Sequence, residues 1–174
     1  RAADNAATVA LMTARIRFVQ AVIAPTGHYN VHDTVNVGRN YWAFDSSVSA
    51  TWLSQKTGTE ISLLPGFMVN TENGATHYRS GNEFHLDFIL NQFLAKTFAV
   101  GFQGSFYHQV TGDGGSGALL GAFKSESVGV GPAVLWLPAF GGGKLSVVAK
   151  WLHDVEATHR LSADYGQLTI GYQF

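Results

Sequence analysis

Polarity alternates residue by residue through most of this chain, in segments of about ten that recur up to the terminal Gly171-Tyr172-Gln173-Phe174. A period of two puts every second side chain on the same face of a strand. Between 41 and 54, Trp42, Phe44, Val48, Ala50 and Trp52 share one face, and Asp45, Ser47, Ser49 and Thr51 share the other. Between 83 and 94, Phe84, Leu86, Phe88 and Leu90 oppose Glu83, His85, Asp87 and Asn91. The same reading gives further strands near 9–24, 59–70, 97–110, 126–137 and 144–155, and a last one ending at Phe174. Eight alternating segments that close on a terminal aromatic carry the pattern of an outer-membrane barrel. There the apolar face meets lipid and the polar face lines a lumen. The expected fold class is therefore all-β, an antiparallel transmembrane β-barrel.

Composition fits that solvent arrangement. Charged residues make up 13% of the 174 residues, against roughly 25% in soluble domains, while hydrophobic content is an ordinary 46%. The length is that of one domain. A formal net charge of −1 excludes a basic nucleic-acid or membrane-surface binder. No apolar run is long enough for a transmembrane helix. Cysteine is absent, as suits an oxidising compartment. The chain starts at Arg1 with no apolar leader behind it, and is read as a mature or truncated product.

The connections alternate in length. Long ones are expected near 25–40, 71–82, 111–125 and 156–164, and short ones near 55–58, 95–96 and 138–143. Long extracellular loops and short periplasmic turns belong to outer-membrane barrels. Trp52, Phe93, Phe98, Trp136 and Phe174 fall near one set of strand ends, and Trp42, Phe106 and Trp151 near the other, as two interfacial girdles would. Pro65 and Pro132 interrupt two strands and remove a ladder donor each. A bulge or bend is the plain explanation; a weakened seam for lateral exit of a solute is the sharper one.

The loops carry a resemblance. Pro25-Thr26-Gly27-His28-Tyr29, Asn36-Val37-Gly38-Arg39-Asn40-Tyr41-Trp42-Ala43-Phe44, the run from His77 to Asp87, and Gln109-Val110-Thr111-Gly112-Asp113 are similar to segments of the outer-membrane channel family named for the meta-pathway of phenol degradation. The resemblance runs from about residue 15 to the end. It implies a monomeric barrel in the outer membrane of proteobacteria, in contact with lipid and lipopolysaccharide, that passively admits small hydrophobic or aromatic molecules. It also implies twelve strands, so residues 1–174 are expected to be one barrel domain that lacks N-terminal strands. It supplies no catalytic residues, cofactor or metal.

The residues themselves leave two other readings open. An eight-stranded closure filled by side chains would be a solute-tight structural barrel. A barrel-type lipid hydrolase would need a His–Ser pair near the rim; His85 and Asp87 share a face, but no Ser stands in the expected relation to a His. His28 with His32, and His153-Asp154 with His159, lie in or beside loops and are weak metal candidates. Arg15, Arg17, Asp45, Glu60, Glu83, His85, Asp87, Tyr107, Lys150 and Asp154 are expected to line the lumen, where charges lock the wall through pairs or set the field of a narrow path. Arg39 and Arg79 are expected to brace the extracellular loops. The Gly-rich stretch 112–120 lacks the Lys-Ser/Thr end of a phosphate cradle. With Leu119, Leu120 and Phe123 after it, it suits either an inward constriction or a mobile external loop.

Overall fold

The structure, a computed structural model, describes residues 12–140 and 144–173. The chain before Met12 and the terminal Phe174 lie outside them, so the start of the first expected strand and the aromatic terminus do too. Eight strands follow in order: β1 (Met12–Ile23), β2 (Ala43–Ser54), β3 (Thr59–Asn70), β4 (Glu83–Ala95), β5 (Phe98–Gln109), β6 (Glu126–Trp136), β7 (Leu145–Thr158) and β8 (Asp164–Tyr172). Each pairs antiparallel with the next, in one sheet ordered β1 to β8. Neighbours in sequence are neighbours in space, so every connection is a hairpin.

Pairing carries the alternation across the sheet. From β1 to β4, Phe18, Val48, Pro65 and Leu86 lie in one row, and Ile16, Ala50, Leu63 and Phe88 in the next apolar row. The intervening row is Arg17, Ser49, Leu64 and Asp87, continued by Ser105, Gly129 and Asp154 on β5 to β7. One face is therefore mainly apolar and the other mainly polar.

Burial inverts the soluble pattern. Among the described residues the buried hydrophobics are Ala43, Ala99, Ala133 and Leu152, whereas Ser47, Asn70, Glu83, Asn91, Gln103, Gln109 and Ser127 are all buried polar groups. Phe18 is 86% exposed, Phe102 64% and Ile170 66%. Trp42 and Trp136 are exposed as well. Among the described residues no second layer covers this apolar face, which is far too extensive for contact with water. The polar face is the concave one, since side chains from β2 through β8 line a common cavity on it.

Details of the ladders correct the expectations in three places. Each proline leaves a two-residue gap, on the β2–β3 side of Pro65 and the β6–β7 side of Pro132, and pairing resumes in step beyond it. The register shifts sit elsewhere: Leu94 is the extra residue between Phe93, opposite Ala99, and Ala95, opposite Phe98, and on β7 Val155 is the extra residue between Glu156, opposite Val128, and Asp154, opposite Gly129. It lets β7 run on to Thr158, so the last outer connection is only 159–163, shorter than expected. Phe93 pairs with Ala99 on the polar face and does not join the outer girdle. At the other turns, Gly58 adopts φ 71°, and its N–H donates to the Ser54 carbonyl at 2.8 Å, closing the β2–β3 hairpin.

Candidate functional site

The register places Arg15, Arg17, Asp45, Glu60, Glu83, His85, Asp87, Tyr107, Lys150 and Asp154 on the concave face. The carboxylates among them are met mostly by neutral donors. Asn70 Nδ2 donates to Glu83 Oε1 at 2.9 Å, Asn91 Nδ2 to Glu60 Oε2 at 3.1 Å and Ser62 Oγ to Glu60 Oε1 at 3.2 Å. Thr51 and Ser62 hydroxyls lie 2.9 Å apart and extend this chain toward β1. Among the described residues every ion pair involves a histidine, and none joins a Lys or Arg to a carboxylate.

One contact spans three strands. His85 Nε2 on β4 lies 3.0 Å from Asp45 Oδ1 on β2, and Ser47 Oγ reaches the same oxygen at 3.3 Å. β3 stands between them, and Gly66 makes the crossing possible: a Cβ there would lie 2.3 Å from the imidazole and 2.6 Å from Ser47 Oγ. Ser and His thus bind one carboxylate instead of each other. The other described His ring contacts go to Glu72, Glu126, Asp164 and the Lys124 carbonyl. Among the described residues no group of three metal-ligating side chains converges. His28 Nε2 stands 4.0 Å from Asp33 Oδ2.

A cavity of about 960 Å³ opens at the end of the sheet nearer the long connections. Asp45, Glu83, His85, Asp87, Tyr107 and Asp154 line it, and Arg39 and Tyr41 join them from the β1–β2 connection. Leu119, Leu120 and Phe123 do not; Leu119 and Leu120 are 89% and 83% exposed. In their place the 159–163 connection supplies Arg160, Leu161 and Ala163. Arg160 Cζ sits 4.7 Å from the centre of the Tyr107 ring. Sequence reading missed Arg160 because a loop has no periodicity from which to read direction. A second cleft of about 170 Å³ lies deeper and is lined by Arg15, Arg17, Ser49 and Thr51.

The outer connections are bound to each other. Arg79 and Gly114 exchange backbone hydrogen bonds at 2.9 Å each, and Gly117 N–H donates to the His77 carbonyl at 3.0 Å. Asp113 accepts from the Gly81 N–H at 3.1 Å, from Gln109 Nε2 at 2.6 Å and from the Tyr78 hydroxyl. Burial and that bond to Asp113 push the Tyr78 phenol above its usual range. Asn73 Nδ2 holds the Arg39 carbonyl at 3.3 Å and Asn40 Nδ2 holds Asn73 Oδ1 at 2.8 Å. The Gly-rich stretch is thus pinned by 71–82 and does not stand free.

On the convex face polar pairs gather toward the same rim. Ser46 Oγ donates to Gln20 Oε1 at 2.6 Å; His108 Nδ1 is 2.6 Å from Glu126 Oε2, and His153 Nδ1 is 2.8 Å from Asp164 Oδ1. His108 stacks on Phe106, and His153 on Trp151. Ring first and imidazole–carboxylate pair next is the order in which a membrane passes from hydrocarbon to headgroup.

The sequence matches, over residues 12–170, the protein family described as "Putative MetA-pathway of phenol degradation". The fold matches a crystal structure of an outer membrane channel from Pseudomonas putida F1 with a TM-score of 0.72, at 14% identity, covering 91% of this chain and 59% of that one. The chain therefore spans about three-fifths of that channel's length, and the likeness shows a β-barrel fold. No curated protein matches the chain.

Proposed function

Because the chain belongs to the MetA-pathway family of phenol degradation, we propose that it forms the wall of a bacterial outer-membrane channel for passive uptake of small hydrophobic or aromatic molecules. The observation that carries this reading is the inside-out sheet: an apolar convex face without a covering layer, and a concave face that holds buried polar groups and an open cavity of about 960 Å³. A solute-tight barrel would fill that space with side chains. No step of the reading needs a catalytic group, a cofactor or a metal.

The two outermost strands support a wider barrel. Among the described residues β1 and β8 are the edges of the sheet and do not pair with each other. An open edge in hydrocarbon leaves N–H and C=O groups unbonded, at several kcal/mol apiece. Further strands that close the cylinder remove that cost, so the eight strands are read as an arc of the wall, acting as a monomer among lipid and lipopolysaccharide. The ladder gaps beside Pro65 and Pro132 both lie where the proline itself points to the convex side. They are the places where an apolar solute would leave sideways into the membrane.

Uptake of phenol, toluene and a sugar of similar size by cells with an intact lipopolysaccharide leaflet, with and without the protein, tests the reading. It expects protein-dependent entry of both aromatics and little of the sugar. Entry of the sugar with no gain for either aromatic would overturn it.

A further inference from the structure

The connection between β7 and β8 is folded over the mouth of the cavity and fixed at both ends. His159, in the left-handed region at φ 54°, holds the Lys124 carbonyl through Nδ1 at 2.9 Å and meets the Phe123 ring at 5.2 Å. Ala163 donates its N–H to Asp154 Oδ2 at 3.0 Å and accepts from the Asp154 N–H at 3.2 Å. Arg160 lies between these anchors, and its guanidinium, still open to solvent, rests over Tyr107. One side of it covers the Tyr107 ring, and the group lines the cavity.

Asp87 stands on the same wall. It pairs with Ser105 and therefore sits diagonal to Tyr107, which pairs with His85. Diagonal neighbours in an antiparallel pair are about 7–8 Å apart, so Asp87 and the Tyr107 ring that Arg160 covers face the same part of the cavity. Asp45, Glu60, Glu83 and Asp154 each accept a hydrogen bond, but Asp87 has no hydrogen bond or ion pair among the described residues. Four carboxylates, Asp45, Glu83, Asp87 and Asp154, line the cavity against two guanidiniums, Arg39 and Arg160.

Resting on the channel reading above, the geometry points to a selective subsite at the mouth: a neutral aromatic ring with a hydrogen-bond donor stacks on Arg160 and donates to Asp87, while aromatic anions are repelled. The guanidinium supplies the preference for a π face, because a flat cation attracts the electron-rich side of a ring and a saturated ring has none. The free carboxylate supplies the preference for a donor, because it is an acceptor without a proton to offer. The surplus of carboxylates supplies the discrimination against anions.

Four solutes separate these terms: phenol has both features, toluene lacks the donor, cyclohexanol lacks the π face, and benzoate is anionic. Protein-dependent uptake of each is measured below saturation in cells carrying the full protein, with folded barrel quantified by its heat-modifiable migration. Phenol is expected to exceed cyclohexanol and toluene, with benzoate last. Arg160→Gln should lower the phenol-to-cyclohexanol ratio about two- to fivefold. Asp87→Ala should lower the phenol-to-toluene ratio about two- to tenfold and raise benzoate. If Arg160→Gln does not fold, Arg160→Lys makes the same comparison, since an ammonium keeps the charge without the planar face. Equal entry of phenol and toluene in the wild type, or an unchanged phenol-to-cyclohexanol ratio at position 160, overturns the subsite while leaving the channel intact. No protein-dependent entry of any solute overturns the channel, and the subsite with it.

Discussion

At Gly66 the lack of a side chain lets the His85 ring cross β3 and bond Asp45 two strands away. Gly66→Ala puts a methyl 2.3 Å from that ring, so the imidazole must swing off the carboxylate. A loss of about 1–2 kcal/mol in barrel stability is expected from denaturant midpoints. The same substitution in a His85→Ala background should cost clearly less, because the bond it breaks is already gone; equal costs would show that Gly66 serves only the backbone. On the opposite face Phe88 lies over Gly104, whose added Cβ would come within 2.5 Å of the ring. Phe88→Arg places a charge among lipid chains and should cost about 2–4 kcal/mol at mid-depth. Asp87→Leu, one residue along, should be tolerated in folding. The opposite ranking in a refolding assay would invert the faces.

Among elements, the bond from Tyr78 to Asp113 ties connection 71–82 to connection 110–125. Tyr78→Phe removes the hydroxyl and should speed hydrogen exchange at 77–82 and 111–117 without shifting barrel melting. Ionisation of Tyr78 is opposed in the folded chain by burial and by Asp113. A group whose folded value lies above its unfolded one contributes fully below the unfolded value, about 10, and loses that contribution as pH rises toward the folded one. The two loops should therefore stay joined through pH 9 and loosen only in stronger alkali; a loosening near neutrality, followed by exchange at Gly81, would contradict this. The strands that support these loops were legible in the sequence because period two survives along them: Thr59–Asn70 falls on its expected bounds, and most others within one or two residues. Legibility stops where the period breaks. The extra residue at Val155 hid the extension of β7 to Thr158. Phe93 looked like a girdle residue by position along the strand and turned inward by parity. The ten charged and aromatic candidates for the lumen could be placed on one face from parity alone. Arg160 could not, because its place over Tyr107 depends on how the loop is held, by His159 to Lys124 35 residues back and by Ala163 to Asp154 across the hairpin.

Over the whole molecule, the solvent each face meets decides what it carries. Among the described residues no second layer buries the apolar side chains outside, while inside neutral amides and hydroxyls donate to carboxylates such as Glu60 and Glu83. Among the described residues the edges at β1 and β8 make the sheet an arc, and the likeness to the outer membrane channel makes it an arc of a barrel. The absence of native cysteine allows a direct test. Single cysteines from Glu83 to Asn91 on β4, each carrying a nitroxide in membranes, report collision with dissolved oxygen and with a water-soluble nickel chelate. Oxygen should win at positions 84, 86, 88 and 90, and the chelate at 83, 85, 87 and 91. A profile with no period of two, or one with the two sets exchanged, would contradict the account.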